Sequence, residues 1–278
     1  MVGISHLRRC IWILIALSAS SEVIHYTTVS RDVIEKRLAA FRGADTERQR
    51  TLRTLFDIAG CSGDHLNDQS VKGAKAPNLI CILPGEVEST IIIGAHFDYV
   101  DKGNGVVDNW SGASLLPSLF ESLKTTPRRH TFVFIGFTDE EKGLIGSRYY
   151  VRQLNKDELR KISAMVNLDS LGTDTTKLET DRADKRLVNA LANVAATFKL
   201  PLSVVNAHQV GRSDSDSFQD KKVPTINIHS LTNTTFPILH TARDQIEAIH
   251  IGEYYDSYRL IAAYLAYLDQ IFDREETR

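Results

Sequence analysis

Cysteine, tryptophan and methionine are scarce in this chain, at three, two and two residues among 278. None of the cysteines stands in a C-x-x-C or similar spacing, which excludes a thiolate metal cage and a dithiol redox pair. An excess of one charge is also missing. The 33 Lys and Arg nearly balance 35 Asp and Glu for a net charge of −2, so no basic field exists to hold nucleic acid or an anionic lipid surface. No linker rich in Pro, Gly or Ser divides the chain and no repeat is visible, which favours one large domain. P-loop, dinucleotide and G-x-S-x-G signatures are lacking, Ser111 lying in NWSGA, so nucleotide and serine-hydrolase chemistry have no foothold.

Long hydrophobic runs are missing as well, and the one at the N-terminus is informative. Arg8 and Arg9 precede CIWILIALSAS, and the chain turns polar at Ser21-Glu22. That run is well short of the ~20 apolar residues of a membrane span. A basic start, a short apolar core and small residues describe an export signal over residues 1–20, ahead of a single domain over 21–278, with secretion or periplasmic residence as the expectation. An uncleaved anchoring helix is the alternative. Removing that segment leaves Cys61 and Cys81, which either form a disulfide or stay as buried thiols.

What is present is an alternation of two periodicities. Helices are expected over 30–41, 46–59, 111–124, 145–154, 185–198 and 253–272, the second opened by a capping box of Thr46 and Gln49 and closed before Gly60. Strands are expected over 76–85, 90–96, 130–137, 162–171, 200–207 and 223–230, apolar throughout as strands buried on both faces are. The fold class that follows is α/β, a three-layer αβα arrangement around a mostly parallel, mixed sheet.

In open α/β sheets ligands collect beyond the C-terminal strand ends. TIIIGAH runs into His96 and Asp98, HTFVFIGF into Glu140 and Glu141, and ISAMVNLD ends on Asp169, while neighbouring loops add Asp108 and His240. So many carboxylates in one crevice repel each other unless a cation joins them. Imidazole and carboxylate without thiolate suit catalytic zinc, and two histidines with three carboxylates suit a pair of ions sharing a bridging carboxylate. A free glutamate beside the ligands is then available as general base. Taken singly, each residue has an ordinary structural use, and Asp244 is as readily a surface charge as a partner of the site. Asp214 and Asp216 read as loop residues. Tyr254, Tyr255 and Tyr258 read as core, and His65, His130, His208, His229 and His250 have no ligand context.

The series GAHFDY, VVDNWSG, DEEKGLIGS, NLDSLG and a late LH resembles the M28 family of zinc aminopeptidases, in order, over roughly residues 76 to 245. The resemblance implies a zinc-exopeptidase-like fold and two co-catalytic Zn2+ ions, one held by His96 and Asp169, the other by Glu141 and His240, bridged by Asp108. It also implies Glu140 as general base, Asp98 orienting the His96 imidazole, a cis peptide between Asp108 and Asn109, and release of N-terminal residues from short peptides. Relatives carry SDH where this chain has SDSDSF, with Ser215 in place of the histidine, and some carry a tyrosine where Leu239 stands. The oxyanion donor is therefore unassigned. Glutaminyl cyclases, whose pockets are lined with tryptophan, are the alternative in the same fold. A carboxypeptidase or dipeptidase and an exported binding module without catalysis are the other readings. Oligomeric state is not written in the sequence.

Overall fold

The computed structural model describes residues 24, 26–205 and 211–272. The expected export signal and His208 lie outside these. Eight strands form one sheet in the order β1-β2-β4-β3-β5-β8-β6-β7. They are β1 (Leu66–Gln69), β2 (Asn78–Leu83), β3 (Thr90–His96), β4 (Thr131–Phe137), β5 (Ile162–Leu168), β6 (Lys177–Glu179), β7 (Ser203–Val205) and β8 (Thr225–His229). The central four, β4-β3-β5-β8, are parallel, whereas β1, β2 and β6 each pair antiparallel to a neighbour. The sheet is mixed, as expected.

The apolar runs arise because both faces are covered. Along β3, Ile91 and Ile93 belong to one hydrophobic cluster and Ile92 to the other, the period-two alternation of a strand. The first cluster is closed by α1 (Arg31–Leu38), α2 (Asp45–Ala59), α3 (Ser111–Leu123), α6 (Lys185–Phe198) and α8 (Ile251–Ile271). The second lies under α4 (Ile145–Gln153) and α7 (Asp214–Gln219), with α5 (Lys156–Arg160) at its margin. Tyr254 and Tyr258 are fully buried as expected, their hydroxyls bonded to Ser114 and Ser122 of α3 at 2.9 and 2.7 Å. None of the helices is long and apolar enough to cross a membrane among the described residues.

Some boundaries differ from expectation. Helix α2 begins at Asp45 after Ala44 and has no side-chain cap, so Thr46 and Gln49 form no capping box. Gln49 instead donates to Asp68 at 2.7 Å, tying α2 to β1. Gly60 closes α2 in the left-handed conformation, which glycine adopts without steric penalty. Asp214 and Asp216, read as loop residues, lie instead in the short helix α7 and are buried. Cys61 and Cys81 form a disulfide that fastens the end of α2 to β2.

Candidate active site

The parallel strands place four C-terminal ends on one edge of the sheet. His96 ends β3, Asp169 follows β5, Glu140 and Glu141 follow β4, and His240 lies in the loop after β8. Asp108 sits in the wide helical turn Val106–Trp110 that leads into α3, where its peptide bond to Asn109 is cis. All five candidate ligands meet there. His96 Nε2 is 3.2 Å from Asp108 Oδ1 and 3.9 Å from Asp169 Oδ1. His240 Nε2 is 3.1 Å from both Asp108 Oδ2 and Glu141 Oε1. The two oxygens of Asp108 thus face one imidazole each, the disposition a bridging carboxylate needs.

Asp98 faces the His96 imidazole and also holds a neighbouring turn. The nearest Asp98 atom to His96 Nδ1 is the backbone oxygen at 3.2 Å, with the carboxylate at 3.5 Å. Its carboxylate accepts the backbone N–H groups of Glu140 and Glu141, at 3.0 and 3.1 Å. One buried aspartate therefore fixes the turn that carries both glutamates as well as facing the imidazole.

Two residues that sequence reasoning undervalued complete the frame. Asp244 is buried, and its carboxylate accepts the N–H groups of Val107 at 2.7 Å and Asp108 at 3.2 Å. It is a partner of the site and not a surface charge; its place three residues after His240-Thr241 was the only available signal. Arg48 of α2, almost wholly buried, donates to the carbonyls of Phe97, Asn104 and Gly105 and stacks over Tyr99 at 4.1 Å. It braces the loop between His96 and Asp108, and no local pattern marks it. Asn109 ties that loop to β5, donating to the carbonyl of Leu168 at 2.8 Å and accepting the N–H of Ser170 at 3.1 Å.

The charges at this edge are mutually dependent. Burial pushes Glu140 up to about 10, opposed by His96 and reinforced by Asp214, Asp169 and Asp108. Burial and then Asp108 raise Glu141 to about 7. Burial draws the His96 imidazolium down, but Glu140, Asp108, Asp169 and Asp98 outweigh it and hold it well above the ordinary range. Contact with Asp108 raises His240 to about 9. Burial would raise Asp108, yet His240 and His96 overcome it and hold it well below the usual carboxylate range. Protons bound among crowded carboxylates do here what a cation would do.

The donor set fits zinc. One ligand atom from each of His96, Asp108 and Glu141 lies within 4.8 Å of the others, all are imidazole nitrogen or carboxylate oxygen, and both described cysteines are committed to the disulfide. The cleft over this edge encloses about 270 Å³ and runs from Glu140 to Asn227, His229, Leu231, Phe236 and Leu239. No tyrosine lines it among the described residues. The indole of Trp110 is buried in the core, donating to the carbonyl of Arg37 at 3.2 Å.

The chain is similar to known peptidases in sequence and fold. The family model described as Peptidase family M28 matches residues 78–265. Aminopeptidase YwaD of Bacillus subtilis is 30% identical over 193 residues, 65% of this chain and 40% of that protein. The chain thus matches less than half the length of the curated relatives. Among solved structures, a zinc aminopeptidase from Bacillus subtilis superposes with a TM-score of 0.62 at 27% identity, covering 68% of this chain and 49% of that one. The LapA aminopeptidase of Legionella pneumophila gives 0.76 at 21% identity, over 87% and 72%. A glutaminyl cyclase of an Acidobacteriales bacterium gives 0.69 at 17% identity, over 86% and 93%.

Proposed function

The chain belongs to peptidase family M28, and from that premise we propose that it is an exported, zinc-dependent aminopeptidase that releases the N-terminal residue of short peptides. The observation that carries this reading is the placement of Asp108 between His96 and His240, with Asp169 and Glu141 at its flanks and the half-buried Glu140 lining the same cleft. His96 and Asp169 would hold one zinc, Glu141 and His240 a second, with Asp108 common to both. When bound, zinc supplies Lewis acidity and a positive charge that favours the ionised forms of the surrounding carboxylates. Glu140 takes a proton from the attacking water and returns it to the leaving amine. Asp98 holds the glutamate turn through two backbone N–H groups, and Asp244 holds the backbone of Asp108. In this reading residues 1–20 direct export and residues 21–278 form one peptidase domain.

The cyclase alternative has one observation in its favour, a solved structure covered over 93% of its length. Against it, the single tryptophan beyond the N-terminal segment is locked in the core and cannot line the cleft.

The test is release of free amino acids from peptides with free or acetylated N-termini, by zinc-loaded protein produced from about Glu22, with Glu140→Ala alongside. Release from free N-termini alone, absent in the variant, is expected. Release from acetylated peptides, or from C-termini, would assign the site to another exopeptidase class. Formation of a cyclised N-terminus without chain cleavage would select the cyclase reading.

A further inference from the structure

The wall of the cleft formed by β8 is polar where an aliphatic pocket would be greasy. Asn227 and His229 both line the cleft and are only 7% and 2% exposed. The N–H of Leu231 donates to His229 Nδ1 at 3.0 Å. Nδ1 is therefore an acceptor, and the neutral ring carries its proton on Nε2. That Nε2 is buried with no hydrogen-bond partner. Glu179 of β6 faces it with Oε1 at 3.9 Å, too long for a hydrogen bond, and the same oxygen accepts from Asn227 Nδ2 at 3.3 Å. Asn227 is itself held by Asn167, whose amide donates to its Oδ1 at 2.9 Å. Asn167, Asn227, Glu179 and His229 thus form a buried polar row in which the His229 Nε2 donor and the Asn167 Oδ1 acceptor are unused.

An unmade hydrogen bond of this kind is unfavourable, and such groups in native proteins call for an explanation. Resting on the aminopeptidase reading, we propose that this row receives the side chain of the substrate's first residue and selects a carboxamide, that of asparagine or glutamine. A carboxamide oxygen accepts from His229 Nε2–H while its amide N–H groups face Glu179. Leucine would leave His229 unpartnered. Lysine could pair with Glu179 but offers no acceptor to His229 Nε2–H, and glutamate could accept from His229 but sets its carboxylate against Glu179, whereas a carboxamide satisfies both. Leu231, Phe236 and Leu239 offer the methylenes an apolar surface within the same cleft.

The experiment compares kcat/KM for X-Ala dipeptides, with X as Gln, Asn, Leu, Lys or Glu, on the zinc-loaded protein. A carboxamide should lead Leu by about tenfold or more, the scale of one satisfied hydrogen bond in a buried site. Two variants separate the ring nitrogens. His229→Asn keeps an acceptor for the Leu231 N–H and removes the Nε2 donor, so the Gln-to-Leu ratio should fall about tenfold. His229→Gln keeps a donor near Nε2 and should keep the ratio. Leu, Lys or Glu ahead of both carboxamides, or an unaltered ratio in His229→Asn, overturns the proposal. If no dipeptide is cleaved, the aminopeptidase reading falls and binding decides the pocket. The zinc-loaded protein must then be stabilised against heat more by glutamine or asparagine than by leucine, and equal shifts overturn it.

Discussion

Asp98 and Asp244 do the same work from opposite sides: each spends its carboxylate on two backbone N–H groups and so fixes a turn that carries site residues. Replacing Asp244 by Asn leaves one N–H facing an amide donor. Zinc affinity should fall about 10–100-fold, the usual cost of losing a group that orients a ligand; competition with a chelator of known affinity measures it. Unaltered affinity would mean that Asp108 is held by its other contacts. Glu140 has a separate part. Glu140→Gln preserves shape and removes the proposed base, so kcat should drop by about 10²–10⁴-fold while the metal content per chain stays the same. A variant with wild-type kcat would remove Glu140 from the reaction. Of the five candidate ligands, His96, Glu141 and Asp169 stand out in the sequence because they close or closely follow apolar strands, whereas Asp108 and His240 lie in connecting segments and stand out only through the motif resemblance. Asp244 was not legible, because its value comes from two N–H groups more than 130 positions away, and Arg48 was not, because its carbonyl partners lie in a loop some 50 residues on.

The edge that carries the site exists because α3 and β5 come together closely. Gly112, in the first turn of α3, sits so near β5 that a Cβ there would lie 2.5 Å from the carbonyl oxygen of Leu168 and 2.6 Å from Asn109 Oδ1. Backbone cannot yield as a flexible side chain does. Gly112→Ala should therefore destabilise by about 1–3 kcal/mol and weaken zinc binding, since Leu168 precedes Asp169. Urea unfolding with and without zinc tests it, and wild-type values for both would show that the contact relaxes freely. The disulfide acts far from this edge. Cys61 and Cys81 close a separation of 20 residues, and their joint replacement by Ala should remove about 2–4 kcal/mol of stability while turnover without urea persists. A midpoint unaffected by the replacement would make the bridge dispensable. The long apolar strands and the helices of strong period were readable from the sequence to within a few residues. β1 and β6, with sequences LNDQ and KLE, were not, being short and polar and held in place by their neighbours in the sheet. Helix α7, DSDSFQ, was read as a loop because Asp and Ser favour caps and turns over helix interiors. It forms because Phe218 is fully buried against Phe137 and Tyr150.

At the scale of the molecule, crowded acids make the stability of the metal-free protein depend on pH in a definite direction. Burial raises Glu140 to about 10, Glu141, Asp214 and Glu179 each to about 7, and Asp244 to about 6, from 4.5 for glutamate and 3.8 for aspartate. Asp108 raises His240 from 6.5 to about 9. Each of these groups binds its proton more tightly in the folded chain than in the unfolded one, so folding loses free energy as pH climbs from the unfolded value to the folded value. Asp108 has the opposite sign, but its window lies below 3.8. Burial lowers His229 to about 4, which opposes the trend only between there and 6.5. Above pH 6.5 Glu140 and His240 still pull stability downward. Protein stripped of metal should therefore melt at progressively lower temperature from pH 5 to pH 9. Zinc competes with those same protons for the ligand atoms, so the rise in Tm on adding saturating zinc should be larger at pH 8 than at pH 5. Thermal melts of stripped and zinc-loaded protein across this range decide the matter. A stripped protein whose Tm is flat or rises with pH would mean that the edge residues do not share protons as their spacing requires.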